Sequence, residues 1–205
     1  MKYIDSTYSN EIVILKSRFI TSIYNVSSVE EVNDILAKTR KKYYDASHNC
    51  YGYILGDRAE IQKCSDDGEP QKTAGFPILD VLKKNEVTNI LCVVTRYFGG
   101  TLLGAGGLVR AYSESCSECL KKAKLLIKKE LNTIIVKLDY SSYNTLLSSI
   151  KDVVILDTSY QQDITLRLAA PGDMIDSLIQ SINNITKGNA LIEDSGLYET
   201  FVPID

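Results

Sequence analysis

Two glycine-rich segments carry the residues whose types and spacing are best suited to chemistry. Seven of the twelve glycines lie between Gly68 and Gly107, within the segments 66–75 and 96–110. Glycine adopts positive φ and lets a ligand approach the main chain closely. A strand, a glycine-rich turn and a helix in that order present backbone N–H groups to an anion. The second segment therefore predicts an anion-binding or RNA-binding surface.

Side chains in and beside these segments extend the predicted surface. Arg96 and Arg110 stand at the two ends of the second segment, and each guanidinium can bind a phosphate in a bidentate manner. Tyr97 and Phe98 can stack on a nucleobase. The whole predicted surface comprises His48, Asp66, Asp67, Gly68, Glu69, Lys72, Thr73, Arg96, Tyr97, Phe98, Gly99, Gly100, Gly104, Gly106, Gly107 and Arg110.

The same glycines have a structural interpretation. Glycine clusters also occur where a strand, a helix and a loop must pack tightly. The second segment is not a P-loop, because no Gly-Lys-Ser/Thr sequence follows it, and no βαβ unit surrounds it as the dinucleotide fingerprint requires. The pattern alone leaves ligand binding and tight packing open.

The densest acidic cluster of the first part of the chain suggests an alternative function. Asp66, Asp67 and Glu69, with His48 as the only histidine, could bind a hard cation or act in acid–base chemistry. A small, metal-dependent, peptidase-like hydrolase is therefore an alternative. The same acidic sequence is equally typical of a turn whose aspartates accept main-chain N–H groups. Because a two-metal peptidase needs a larger ligand set, we assign no catalytic residue, metal ligand or cofactor.

Composition favours a folded protein with an uneven charge. The 205 residues, 44% hydrophobic and 24% charged, can bury a core and suffice for two domains. Residues 1–130 carry 19 Lys and Arg against 16 Asp and Glu, whereas residues 131–205 carry 4 against 10. A polyanion would therefore meet the first part of the chain.

The cysteines and the apolar runs indicate the compartment. Five cysteines show no paired framework, and Cys116 and Cys119 have the CxxC spacing without the second ligand pair of a zinc site. The other three, Cys50, Cys64 and Cys92, are predicted to be buried and free. No apolar run approaches the roughly 18 residues of a membrane span, and the first ten residues lack the pattern of a secretory signal. We expect a cytoplasmic protein with no membrane partner.

Hydrophobic patterning predicts an α/β protein of the α+β type with two domains. The uninterrupted apolar run 89–96 is typical of a central strand covered on both faces. The first domain, residues 1–129, has predicted strands at 12–15, 18–24, 50–55, 61–64 and 89–96. Its predicted helices begin at Ser27 or Ser28, at Thr73 or Ala74, and at Leu108, the last ending near Lys124. The lysine-rich stretch 121–130 marks the predicted boundary.

The second domain, residues 130–205, shows a regular alternation of elements. Strand patterns occur at 134–140, 153–156, 164–168 and 190–199, and helical faces occur at 143–150 and 175–182. The order βαββαβ is that of a ferredoxin-like domain. The exposed face of its sheet offers a further alternative, a protein-interaction module.

Four segments together strongly resemble the Impact family, and the whole chain resembles its bacterial YigZ-type members. They are 45–50 (DASHNC), 65–75 (SDDGEPQKTAG), 94–100 (VTRYFGG) and 103–112 (LGAGGLVRAY). One departure is Gln71-Lys72, where the family usually has a small residue and a glycine. The resemblance implies a first domain with the fold of ribosomal protein S5 domain 2, followed by a ferredoxin-like domain resembling one in elongation factor G.

The resemblance also bears on function. Eukaryotic members regulate translation by competing for a partner of a stress kinase, using an additional RWD domain that these 205 residues do not contain. Some relatives have been labelled proline dipeptidases. From the resemblance to translation regulators we expect a translation-associated regulator that binds RNA or the ribosome through the glycine-rich surface. We further expect a protein partner in translation control.

Overall fold

The chain folds into two compact units, each with its own hydrophobic core. The computed structural model describes residues 1–204. One unit comprises Met1–Ile127 with the short segment from Val202 onward, and the other comprises Lys128–Phe201. The predicted two-domain α+β class is confirmed. The predicted boundary between residues 129 and 130 stays a prediction.

A five-stranded antiparallel sheet forms the framework of the first unit. The elements of this unit are β1 (Lys2–Ile4), β2 (Tyr8–Ile14), β3 (Ser17–Asn25), α1 (Val29–Lys42), β4 (His48–Leu55), β5 (Ile61–Ser65), α2 (Gly75–Lys84), β6 (Ile90–Tyr97) and α3 (Gly104–Leu120). The strand order is β2-β3-β6-β4-β5, and every neighbouring pair is antiparallel.

Strand β6 is central and covered on both faces, as its apolar sequence predicts. Cys92 and Val94 point into the cluster shared with α2 and α3. Leu91 and Val93 alternate with them and pack against α1 on the opposite face. Because the end of β6 emerges between these layers, its last residue, Tyr97, and the residues that follow it reach the edge of the core.

The first helix begins where the sequence predicts. The Ser28 hydroxyl accepts a hydrogen bond from the Glu31 N–H at 3.2 Å, and the Glu31 carboxylate accepts one from the Ser27 N–H at 2.8 Å. This reciprocal capping satisfies N–H groups that the helix itself cannot. Helix α1 ends at Lys42, and its basic last turn suits the negative end of the helix dipole.

Three local features differ from the sequence-based expectation. Helix α3 begins at Gly104 rather than Leu108 and ends at Leu120 rather than near Lys124. The lysine-rich stretch contains the start of strand β7 (Leu125–Leu138). Strand β1 was not predicted, because it is three residues long and pairs with residues 125–127, a long-range contact that local periodicity does not show.

The second unit has the predicted ferredoxin-like order. After β7 come α4 (Tyr140–Ser149), β8 (Val154–Tyr160), β9 (Ile164–Ala170), α5 (Gly172–Thr186) and β10 (Leu191–Pro203). The strand order is β10-β7-β9-β8, and inward-facing residues such as Leu146, Leu166 and Ile182 form its core. Within the described part of the chain, no helix has both the length and the apolar character that crossing a bilayer requires.

A candidate nucleic-acid site at the glycine-rich segments

Sheet register brings the two glycine-rich segments together with the histidine. His48, the first residue of β4, lies opposite Arg96 of β6. Ser65, the last residue of β5, pairs with Tyr51 of β4, so the loop that follows β5 turns back over His48. The start of β4 and the ends of β5 and β6 therefore bring together His48, the segment 66–75 and the segment 96–110.

A cavity of about 540 Å³ lies where these segments meet. Its rim includes two exposed apolar side chains, Phe98 and Leu102, which are 48% and 85% exposed. The lining residues are Ser47, His48, Gly68, Glu69, Pro70, Arg96, Phe98, Leu102, Leu103, Gly104, Ala105 and Leu108. A mostly apolar pocket with a few polar groups is the usual form of a ligand site.

A buried ion pair forms one wall of the cavity. An Arg96 guanidinium nitrogen donates to Glu69 Oε1 at 2.6 Å, and the two side chains are only 6% and 4% exposed. The guanidinium also donates to the Ser17 hydroxyl at 3.2 Å and lies over the rings of Phe19 and Phe98, at 5.4 and 5.6 Å from their centres. Arg96 is therefore already paired with a carboxylate, and its main effect is to hold Glu69 in place.

Tyr112 supports the same carboxylate from helix α3. Its hydroxyl donates to Glu69 Oε1 at 2.8 Å. Burial raises the pKa of Tyr112 far above its ordinary value, so the phenol keeps the proton that it donates. Glu69 Oε1 thus accepts two hydrogen bonds from inside the protein, which fixes the carboxylate orientation.

The His48 imidazole is oriented by the main chain of the acidic loop. Its Nδ1 lies 2.8 Å from the Asp67 carbonyl oxygen. Because a carbonyl oxygen can only accept, Nδ1 carries the hydrogen, and Nε2 of the neutral ring is an acceptor. That Nε2 lies 3.9 Å from Glu69 Oε2, so the two atoms stand side by side at the cavity.

The two aspartates organise the loop. The Asp66 carboxylate accepts from the N–H groups of Lys72, Ala74 and Gly75 at 2.8, 3.0 and 2.8 Å, which caps the start of helix α2. Asp67 accepts from the Asn49 N–H at 2.7 Å. This is the turn-capping role that the sequence left open beside metal binding. Among residues 1–204, no three His, Cys, Asp or Glu side chains are placed to share a metal ion.

Two buried cysteines of the first unit, Cys50 and Cys119, remain protonated thiols. The buried Cys50 thiol donates to the Asp66 carbonyl at 2.9 Å, and burial raises the pKa of Cys50 well above its ordinary range. Burial likewise raises the pKa of Cys119 to about 12. A thiol needs to ionise to act as a nucleophile, so neither is activated. Cys50, Cys92, Cys116 and Cys119 are buried, whereas Cys64, predicted to be buried, is partly exposed.

Two positions in the glycine-rich segments have clear backbone requirements. Lys72 adopts φ of 64°, a left-handed conformation that a glycine would adopt without strain. Gly99 packs so closely on Lys16 and Ser17 that a Cβ there would overlap their main chain. The tight-packing interpretation thus holds for Gly99.

The first turn of α3 is different, because two of its three glycines are open. Gly104 and Gly106 have no neighbouring atom that would meet a Cβ, and no side chain caps the N-terminus of this helix. The N–H groups of the first turn lack intrahelical partners and carry a partial positive charge. This helix end, with Gly104 and Ala105, opens onto the cavity.

The other predicted residues lie outside the lining of the cavity. Arg110 is exposed and lines a separate depression with Leu15 and Glu114, so the structure does not bring it to the cavity with Arg96. Tyr97 donates from its hydroxyl to Asp45 at 2.8 Å. Four others border the site without lining its cavity: Lys72, Thr73, Gly100 and Gly107.

Several residues of the site were not identified from the sequence. Ser17 contacts Arg96 from 79 positions away, a separation at which no local pattern signals proximity. Tyr112 could have been inferred, since it lies one helical turn after Leu108 on the buried face of α3. Leu102 and Leu103 carry no signal beyond their place within the second glycine-rich segment.

Comparison with known proteins places the chain among close relatives. Residues 15–120 match the family model of the Impact N-terminal domain, and residues 136–189 match a domain of unknown function, DUF1949. The chain is 35% identical to IMPACT family member YvyE of Bacillus subtilis, over 92% of this chain and 88% of that protein. It is 33% identical to IMPACT family member YigZ of Escherichia coli, over 86% and 88%. A crystal structure of a hypothetical protein superposes with a TM-score of 0.60 at 30% identity, covering 93% of this chain and 95% of the other.

Proposed function

The chain belongs to the Impact family, and from that membership we propose that it is a translation-associated regulator that binds RNA, free or in the ribosome. The proposed binding surface is the cavity at the glycine-rich segments with its rim. A protein partner in translation control and a cytoplasmic location are parts of the same proposal.

One observation carries the proposal: an aromatic side chain and open main-chain donors share the rim of one cavity. Phe98 presents about half of its surface to solvent, and a nucleobase can stack on such a ring. The uncapped first turn of α3 begins at the same rim with Gly104, where a phosphate oxygen can approach N–H groups. One nucleotide carries both groups, a base and a phosphate.

The charge around the cavity supports the same conclusion. The exposed Lys16 precedes Ser17, whose hydroxyl accepts hydrogen bonds from the Arg96 guanidinium and from the Gly99 N–H. Lys72 lies in the acidic loop, where its main chain binds Asp66. Both lysines are exposed and belong to the segments that surround the cavity. Lysines so placed attract a polyanion without selecting a sequence.

Replacing Phe98 with alanine is expected to weaken binding of single-stranded RNA about tenfold, because a base loses its stacking partner. Fluorescence anisotropy with a labelled oligoribonucleotide measures the affinity. For the unaltered protein, binding should also weaken as salt rises, since phosphate contacts release counterions.

Phe76→Ala is the matched control, because Phe76 is similarly exposed but does not line the cavity. It should bind RNA as the unaltered protein does. Thermal melting of each variant checks that it is folded. Equal RNA affinity of folded Phe98→Ala and Phe76→Ala would contradict the proposed surface.

A further inference from the structure

Two hydrogen-bond acceptors stand side by side in the cavity wall. Glu69 Oε1 is occupied by Arg96 and Tyr112, so the carboxylate turns its other oxygen, Oε2, toward His48. In the neutral His48 ring Nε2 is an acceptor, because Nδ1 donates to the Asp67 carbonyl. The two acceptors are 3.9 Å apart, and both residues line the cavity.

Acceptors this close select a particular chemical group. An amino group has two donor hydrogens and can give one to each acceptor. A hydroxyl has one and leaves an acceptor unsatisfied, whereas a carbonyl oxygen offers none. The Glu69 charge is already balanced by Arg96 at 2.6 Å, so a neutral amino group suits the site better than an ammonium ion, whose charge would lack a partner.

The rest of the cavity indicates what carries that amino group. Pro70, Leu103 and Leu108 supply apolar walls, and Phe98 lies at the rim. A flat aromatic ring with an amino substituent matches this combination. Adenine and cytosine carry a neutral amino group with no ring N–H beside it, whereas guanine has its N1–H next to the amino group. In a duplex that amino group is used in base pairing, so the base must be unpaired.

We propose, on the basis of the RNA-binding function above, that the cavity admits one unpaired cytosine or adenine of single-stranded RNA. The exocyclic amino group donates to His48 Nε2 and Glu69 Oε2, and the ring occupies the apolar part beside Phe98. Uracil is disfavoured because its carbonyl oxygen O4 stands where the amino group of cytosine would be and faces both acceptors.

Glu69→Gln reverses this selectivity. The glutamine oxygen must face Arg96 and Tyr112, because both are donors, so the glutamine NH₂ turns toward the cavity. An acceptor thereby becomes a donor, which favours the uracil carbonyl over the cytosine amino group.

The experiment compares oligo(rC) with oligo(rU) by fluorescence anisotropy at fixed salt. The unaltered protein should bind oligo(rC) about tenfold more tightly, as a well-placed pair of base contacts gives, and Glu69→Gln should remove or invert that preference. An oligoribonucleotide of N4,N4-dimethylcytosine tests the same point without altering the protein. It lacks both donor hydrogens and should bind no better than oligo(rU).

The outcomes separate this inference from the function on which it rests. If the unaltered protein binds all three oligonucleotides equally and Phe98→Ala still weakens them, RNA binding stands and the amino-group site is wrong. If the unaltered protein binds none of them, the proposed function itself fails. Should Glu69→Gln not fold, the dimethylcytosine comparison decides the inference.

Discussion

Arg96→Ala is expected to lower the free energy of unfolding by about 3–5 kcal/mol, the usual cost of removing one partner from a buried ion pair. Glu69 would lose its cationic partner in a wall where its side chain is 4% exposed, with only the Tyr112 hydroxyl still donating to Oε1. The cation–π contacts with Phe19 and Phe98 would also be lost. Urea denaturation followed by circular dichroism measures the change.

Arg110→Ala is the matched control, because it removes the same side chain from an exposed position. It should change the free energy of unfolding by less than about 0.5 kcal/mol. Replacing both members of the pair, as in Arg96→Met with Glu69→Leu, should recover much of the lost stability, since no unpaired charge remains. Equal stability of Arg96→Ala and Arg110→Ala would show that the ion pair contributes nothing.

Gly99→Ala is expected to cost about 3 kcal/mol of stability, at the upper end of overpacking effects. The added methyl would overlap the main chain of Lys16 and Ser17, and main chain, unlike the end of a side chain, cannot rotate away. The turn between β2 and β3 would have to separate from β6, and the hydrogen bond from the Gly99 N–H to the Ser17 hydroxyl at 3.2 Å would be lost. Thermal and urea denaturation measure the loss.

Gly106→Ala provides the opposite case within the same segment. Its Cβ meets open space, and alanine favours a helix by about 0.5–1 kcal/mol over glycine, so this variant should be slightly more stable. If Gly99→Ala were as stable as Gly106→Ala, the close packing of Gly99 on the β2–β3 turn would be wrong.

The fold could largely be predicted from the sequence because its signals are local. The capping serines and Glu31 identify the start of α1, and the apolar run of β6 identifies the central strand. The second unit alternates regularly enough to show its βαββαβ order. The start of α3 was placed four residues late, because three glycines disfavour a helix in isolation and only packing of Leu108 and Tyr112 on the core overrides that preference.

The candidate site was harder to predict, because its chemistry depends on contacts between distant segments. Arg96 was predicted to be a free phosphate ligand, but the Glu69 carboxylate that neutralises it is 27 positions away in the sequence, in the loop after β5. The aspartates looked like metal ligands or turn caps, and only their main-chain partners distinguish these roles. The cavity itself needs the register between β4 and β6, which sequence periodicity does not specify.

The central claim, that RNA phosphate binds at the open first turn of α3, is tested most directly by comparing Gly106→Asp with Gly106→Asn. Gly106 lies beside Gly104 and Ala105 of the cavity rim, and its Cβ has room. An aspartate there suits the helix N-terminus, so the variant should stay folded while its carboxylate repels phosphate. We predict that Gly106→Asp binds single-stranded RNA at least about tenfold more weakly than Gly106→Asn, with neither variant less stable than the unaltered protein. Equal RNA affinity of the two folded variants would contradict the claim.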